Sequence, residues 1–159
     1  MRRGRMKKAC LWAVMFVLMP GFAAMATASI GGKWNVQAVL IAMSHPNDLV
    51  KPGHTKQEIW SIVQQGASAT LTTPNGSISG RFVPKTQEFP LGAWMFELEV
   101  PNIRNMPNLG AKYEVTILVR SENVISGGTS ITYMGNNGFG GPWYPIGMES
   151  WRFDATRIP

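Results

Sequence analysis

Cysteine is nearly absent from this chain, whose 159 residues contain a single one, Cys10. That residue falls within a predicted signal peptide, so the exported chain would contain none. A cysteine-free chain cannot be a disulfide-stapled scaffold, a thiol enzyme or a zinc–thiolate protein. Many eukaryotic secreted families are thereby disfavoured, and we expect a secreted or periplasmic protein from a bacterium.

The chain also lacks an apolar run long enough to cross a bilayer. The apolar segment 11–18 is far shorter than the about 20 residues that a spanning helix needs. It follows five basic residues and precedes small residues at Ala24, Ala26 and Ala28, which is the arrangement of a cleaved signal peptide. We therefore predict a signal peptide over 1–28 and a single domain over 29–159.

The predicted domain has no large excess of basic residues. The whole sequence has 15 Lys and Arg against 9 Asp and Glu, a net charge of +6. Five of the basic residues and none of the acidic ones lie in 1–28, so the domain keeps ten basic against nine acidic residues. This near balance gives no support for a nucleic-acid partner.

Histidine is scarce as well. The two histidines, His45 and His54, flank Asp48 in a segment rich in proline, and their spacing matches no metal-ligand pattern. We predict that they are solvated loop residues and that the chain binds no metal. No nucleophile elbow, Ser-His-Asp order or phosphate-binding loop is visible, so we predict no catalytic residue and no cofactor. An enzyme stays a third possibility, because a catalytic constellation on a small scaffold leaves little trace in sequence.

What the domain does contain is a series of short alternating runs separated by glycine, proline and asparagine. No segment keeps helical periodicity over three turns. We predict strands over 33–40, 56–65, 67–73, 77–83, 93–100, 112–120, 124–134 and 149–158. Pro74-Asn75-Gly76 predicts a tight hairpin, and the other short links also favour antiparallel neighbours. The pattern predicts an all-β fold, a single eight-stranded antiparallel up-and-down β-barrel.

The alternation predicts which side chains fill the interior. In the fifth strand Trp94, Phe96 and Leu98 share one face, and Glu97 and Glu99 share the other. The sixth and eighth strands separate apolar from charged residues in the same way. The inward candidates are Trp94, Phe96, Leu98, Tyr113, Val115, Ile117, Trp151 and Phe153. A charged outer wall is the reverse of an outer-membrane barrel, so after signal cleavage the domain is not expected to span a membrane.

The lengths of the connections predict which end of the barrel is open. Because successive strands alternate in direction, the long connections 41–55, 101–111 and 135–148 gather at one end and the shorter ones at the other. The last of these combines glycines with Phe139, Trp143 and Tyr144. Aromatic side chains on long loops often bind ligands or partners, so we take these three as candidate binding residues. The alternative is that they fold back and cap the barrel end.

The two ends of the domain resemble those of the calycins, the superfamily of lipocalins and avidins. Gly32-Lys33-Trp34 resembles the Gly-x-Trp that opens their first strand, and Arg157 resembles the arginine that lipocalins place late in the barrel across that tryptophan. The avidins are similar at the same places, including a terminal Trp followed by Ala-Thr-Arg. The resemblance implies a lipocalin-like barrel in which Trp34 and Arg157 form a closed floor. It gives no basis for a biotin site.

These observations predict a binding protein that holds a small apolar or aromatic molecule in its lumen. The candidate ligand-binding residues are Phe139, Trp143 and Tyr144 on the loop and Trp94, Phe96, Tyr113 and Trp151 in the interior. A lumen cavity of about 300 Å³ or more would favour such a carrier. The alternative is a periplasmic inhibitor or other protein-binding barrel that uses its open-end loops over a filled interior. The sequence leaves the ligand, the protein partner and the oligomeric state open.

Overall fold

A computed structural model describes residues 29–44, 51–103, 106–136, 138 and 141–159 of the chain. The predicted signal peptide and the candidate residues His45, Asp48 and Phe139 lie outside the described residues. Within the described part, no helix is long and apolar enough to cross a membrane.

The described residues form eight antiparallel strands that close into one barrel. Each strand pairs with the next in the chain, and the first pairs with the last, so no strand edge is left open. The strands are β1 Gly32–Met43, β2 Thr55–Gln65, β3 Ser68–Thr73, β4 Gly76–Val83, β5 Ala93–Val100, β6 Leu109–Ser121, β7 Val124–Gly135 and β8 Tyr144–Ile158. The predicted all-β, up-and-down barrel is confirmed.

The structure extends three strands further toward the open end than the sequence predicts. β1 continues past Leu40, β6 begins at Leu109, and β8 begins at Tyr144. Pro145 and Gly147 favour a loop by local propensity, but pairing with β7 overrides it, and a register shift between Tyr133 and Met134 accommodates the proline. Tyr144 therefore lies in a strand, where the sequence predicted a loop.

Burial alternates along the strands as a filled barrel requires. In β1, Trp34, Val36, Ala38 and Leu40 are buried, and the residues that alternate with them are more exposed. The outer wall carries exposed charged side chains such as Glu97 and Arg152. The core is a single apolar cluster that includes Ile62, Leu71, Trp94, Phe96, Ile117, Ile125 and Phe153. Burial of this cluster is the main stabilising contribution to the fold.

The closed end is sealed by Trp34 and Arg157. The two residues are directly paired between β1 and β8, and the Arg157 Cζ lies 4.5 Å from the centroid of the Trp34 ring. The Trp34 Nε1 donates to the Ile30 carbonyl oxygen at 2.8 Å, and the Arg157 Nε donates to the Glu122 carbonyl oxygen at 3.0 Å. The guanidinium therefore ties the chain entering β1 to the β6–β7 turn beneath the indole.

The Arg157 guanidinium leaves no room for a side chain at Gly32. Its φ of 126° is one that side-chain-bearing residues rarely adopt, and a Cβ there would lie 2.8 Å from an Arg157 nitrogen. Arg157 also donates to the carbonyl oxygen of the preceding Gly31. The glycine of Gly32-Lys33-Trp34 thus lets the backbone pass close to the arginine.

Candidate functional site

A cavity of about 210 Å³ lies inside the barrel at the end opposite Trp34. Its walls come from the start of β2, the β3–β4 turn, the end of β5 and the inward faces of β6, β7 and β8. Trp60, Tyr113 and Trp151 supply aromatic surface, and Ile78, Leu98, Val100, Val115 and Ile131 supply aliphatic surface. We call this space the lumen cavity. Its volume is below the roughly 300 Å³ or more that would favour a carrier, so cavity size alone does not favour a carrier over a protein-binding barrel, and only a small molecule would fit.

Two glutamates face the interior beside two of the tryptophans. The Trp60 Nε1 donates to Glu58 Oε2 at 2.9 Å, and the Trp151 Nε1 donates to Glu149 Oε2 at 3.2 Å. In both cases the partners are two residues apart on one strand, where side chains point to the same face. Tyr133 adds a hydroxyl donor to Glu149 Oε1 at 3.0 Å. Of these groups, Trp60, Trp151 and Glu58 line the lumen cavity, which therefore combines aromatic faces with one carboxylate acceptor.

Lys56 completes this arrangement. Its Nζ lies 2.8 Å from Glu58 Oε1 and 4.7 Å from the centroid of a Trp151 ring. The side chains of Lys56 and Glu58 are 33% and 15% exposed, so the ion pair is partly withdrawn from water. Burial opposes ionisation of Glu58, but hydrogen bonds from Lys56 and Trp60 and the Lys56 charge outweigh it, and the pKa of the carboxyl is lowered. Glu58 is accordingly a carboxylate at neutral pH.

His54 contacts Trp151, one of the residues that line the lumen cavity. Its carbonyl oxygen accepts a hydrogen bond from the Leu40 amide at 2.8 Å, which draws the end of the β1–β2 connection onto β1. Its ring meets Trp151 edge-on, with centroids 6.1 Å apart. The side chain is exposed, as predicted for a loop histidine. Among the described residues, no group of three or more His, Cys, Asp or Glu could hold a metal ion.

The interior candidates divide between the cavity and the packed core. Tyr113 and Trp151 line the lumen cavity. Phe96 is fully buried and packs over Gly80, where a Cβ would lie 2.3 Å from the Phe96 ring. Trp94 is fully buried against Phe82, with ring centroids 5.5 Å apart. The structure thus places Trp94 and Phe96 below the lumen cavity, in the packed layer.

Trp94 also borders a second space nearer the floor. This cavity of about 250 Å³ is lined by apolar side chains, among them Phe82, Leu91, Ile117 and Val119. Its wall contains no charged side chain. A wider depression of about 570 Å³ lies on the outer wall, between polar side chains such as Gln37, Gln57 and Arg152. Neither space joins apolar surface to convergent polar groups, as binding sites usually do.

The described loop candidates lie outside the lumen. Trp143 and Tyr144 are 42% and 50% exposed. Trp143 borders an outer groove of about 410 Å³ with Pro101, Gly110 and Met134. These aromatics therefore do not cap the cavity, and they form an apolar outer surface next to its mouth.

The sequence prediction missed the polar half of the lumen. Lys56 and Glu58 are in phase with Trp60 along β2, and Glu149 is in phase with Trp151 along β8. That phase relation was the signal that could have found them. The same two-residue spacing would have placed Tyr133 on the inward face of β7 with Ile131.

Comparisons with known proteins give little beyond this geometry. No protein-family model and no curated protein matches the chain. One solved structure that matches is described as EF1p2_mFAP2b bound to DFHBI; it is 17% identical, the match covers 80% of this chain and 93% of that chain, and the TM-score is 0.41. A superposition that loose carries no argument about function.

The class of the protein therefore follows from its own strands. A closed ring of eight antiparallel strands in sequential order, filled mainly by apolar side chains, is an eight-stranded up-and-down β-barrel.

Proposed function

We propose that this chain is an exported binding protein that holds one small apolar or aromatic molecule in the lumen cavity. The lumen cavity carries the proposal, because it joins the ring surfaces of Trp60, Tyr113 and Trp151 to the carboxylate of Glu58. Apolar walls with a few convergent polar groups are the usual make-up of small-molecule sites. Export is supported by the basic and apolar pattern of residues 1–28. The proposal includes no catalytic activity.

A place among the calycins belongs to the same proposal. Its support is the pairing of Trp34 with Arg157 at the floor, which is where the resemblance puts the tryptophan and the arginine. A ligand bound at the opposite end leaves this floor undisturbed.

A substitution that fills the lumen cavity with a larger side chain tests the proposal directly. Thr129 lines the lumen cavity, so Thr129→Leu adds side-chain volume where the ligand would bind. The probe is benzyl alcohol, whose ring and hydroxyl suit a cavity of this size, titrated by NMR. We expect saturable binding to the wild type and at least a tenfold loss in the variant, equivalent to about 1.4 kcal/mol.

The matched control is Thr132→Leu on the outward face of the same strand, which leaves the cavity unchanged. It is expected to bind benzyl alcohol as the wild type does. Equal binding by all three proteins would place the probe elsewhere and overturn the proposal. Native mass spectrometry of protein purified from its own host then identifies any retained molecule.

Binding of a protein partner is a second candidate function. The observation that favours it is an exposed apolar row along the start of β8, in which Tyr144, Ile146 and Met148 are 50%, 47% and 40% exposed. Such surfaces often mark protein–protein contacts. A double variant, Tyr144→Ser with Ile146→Ser, should abolish partner binding and leave benzyl alcohol binding intact. Loss of probe binding with no effect on a partner would reject this candidate.

A further inference from the structure

We propose that the ligand of the lumen cavity is an uncharged aromatic molecule with hydrogen-bonding groups at opposite ends of its ring. One end would meet the hydroxyls of Tyr113 and Thr129, and the other would meet the Lys56–Glu58 ion pair. The inference rests on the proposed function of the lumen cavity and names the chemical class of its ligand.

The first support is a pair of hydroxyl groups on one wall of the cavity. Tyr113 and Thr129 both line it. Tyr113 pairs with Ile131 across β6 and β7, so Thr129 is its diagonal neighbour on the same face of the sheet. Within the described part of the chain, neither hydroxyl bonds to another residue. A hydroxyl can both donate and accept, so this wall can bind a polar group of either kind.

The second support is the position of the ion pair relative to these hydroxyls. Lys56 and Glu58 lie on β2, whereas Tyr113 lies on β6. In the closed ring, three strands separate β2 from β6 in either direction, so the two strands face each other across the lumen. The cavity therefore has polar groups on two opposite sides.

Below the β3–β4 turn, the walls between these two sides are apolar. Trp151 lies on one of them, and Ile78 and Leu98 lie on the other. Apolar walls of this kind pack against the two faces of a flat ring, and an indole adds an aromatic contact. A ring held between them directs the substituents at its opposite ends toward the two polar sides.

The third support is that the ion pair carries no net charge. The Lys56 Nζ lies 2.8 Å from Glu58 Oε1, and the two side chains are 33% and 15% exposed. Because their charges cancel, a charged ligand would enter a partly desolvated space in which its own charge is not neutralised. A neutral hydroxyl avoids this cost, and it can accept from the Lys56 ammonium or donate to the Glu58 carboxylate.

Three neutral probes test the two-sided arrangement. 4-Hydroxybenzyl alcohol has polar groups at opposite ends of its ring, 2-hydroxybenzyl alcohol has the same groups side by side, and benzyl alcohol has only one. In NMR or calorimetric titrations of the wild type, the 4-hydroxy isomer should bind about fivefold more tightly than either of the others. That factor is within the range of one additional hydrogen bond.

Two charged probes test the preference for a neutral ligand. At neutral pH, 4-hydroxybenzoate is an anion and 4-hydroxybenzylamine is a cation, and both keep the phenol ring. Each should bind about fivefold more weakly than 4-hydroxybenzyl alcohol, because the charge that it brings into the lumen is not neutralised.

Tyr113→Phe assigns the additional hydrogen bond to a named group, because it removes the hydroxyl and keeps the ring. It should abolish the advantage of 4-hydroxybenzyl alcohol and leave benzyl alcohol binding within about twofold. Tyr144→Phe is the matched control, since Tyr144 is 50% exposed outside the lumen, and it should change neither affinity. Melting curves show whether each variant is folded. Thr129→Val removes the neighbouring hydroxyl at nearly constant volume and should independently reduce the same advantage.

The outcomes distinguish this inference from the function beneath it. Equal binding of 4-hydroxybenzyl alcohol and either of the other neutral probes would overturn the two-sided arrangement and leave the lumen site standing. An advantage that survives in both Tyr113→Phe and Thr129→Val would overturn the role given to their hydroxyls. Tighter binding of either charged probe would overturn the preference for a neutral ligand. No binding of any probe would contradict the proposed function itself.

Discussion

Arg157 shows how one side chain can fix the closed end of the barrel. It stacks on Trp34 with its Cζ 4.5 Å from the ring centroid and donates to backbone carbonyls on two sides. The contact was predictable, because alternation along β8 and the direction of the strands place Trp34 and Arg157 at the same end. Its hydrogen bonds to the backbone were not predictable, since they depend on the path of the chain before β1.

Arg157→Ala should therefore destabilise the protein measurably. Loss of the cation–π contact and of the bonds to carbonyl oxygens predicts a reduction of about 1–3 kcal/mol in the free energy of unfolding. Arg152→Ala is the control, because Arg152 is exposed on the same strand. Urea unfolding compares the two, and equal losses would contradict the structural role assigned to Arg157.

The ionisation of Glu58 makes the stability of the folded protein depend on pH. Lys56 and Trp60 lower the pKa of its carboxyl below the ordinary 4.5 despite burial. The folded protein therefore binds this proton less readily than the unfolded chain does. The resulting stabilisation is complete at pH values above the ordinary glutamate pKa. It is lost as the pH falls through the lowered pKa of Glu58 in the folded protein.

Glu58→Gln removes that titration. The stability difference between wild type and variant should be constant from pH 7 to about 5 and should shrink at lower pH. Glu88→Gln, an exposed change in the β4–β5 connection, controls for loss of a surface charge. Denaturant melts at several pH values measure this, and a difference that grows on acidification would refute the assignment.

β2 shows why the polar half of the site escaped sequence reasoning. Its outward face carries apolar residues too, since Ile59 and Val63 are each 60% exposed, so hydrophobicity alone does not reveal which face is inside. β5 posed no such problem, because its outward face carries Glu97 and Glu99. The phase with Trp60 groups Lys56 and Glu58 on one face, but that this face is the inner one follows from the pairing of Trp60 with Trp34, which is a tertiary fact.

That assignment has a mutational test within β2. Ile62 is 2% exposed and Val63 is 60% exposed. Ile62→Ala should lower the free energy of unfolding by about 2–4 kcal/mol through the cavity it leaves. Val63→Ala should change the free energy by about 0.5 kcal/mol or less, as surface substitutions usually do. Similar losses would mean that the face of β2 is assigned wrongly.

The paired β7–β8 hairpin decides where the aromatic loop residues lie. Pairing of Gly135 with Tyr144 starts β8 at Tyr144, well before its predicted start at Glu149, and ends β7 one residue past its predicted end at Met134. As a result Trp143 and Tyr144 lie on an outer surface, and the lumen cavity is left to side chains of the strands. Local propensity could not predict this, because Pro145 and Gly147 disfavour a strand until a partner strand supplies the hydrogen bonds.

The barrel fold could be predicted from the sequence as a whole, whereas the binding site could be predicted only in part. Eight alternating runs with short links leave few arrangements other than an up-and-down barrel. The open end also followed from connection lengths, and the lumen cavity lies at that end. Cavity size could not be read, since it depends on how Trp60, Tyr113 and Trp151 pack across strands distant in sequence.

The indole NMR signals test the central claim, that the lumen cavity binds the ligand, most directly. Trp60 and Trp151 line the lumen cavity, whereas Trp34 lies at the floor and Trp143 on the outer groove. Titration with benzyl alcohol should shift the Nε1–H signals of Trp60 and Trp151 and leave those of Trp34 and Trp143 in place. A shift at Trp143 with no change at Trp60 and Trp151 would contradict the account.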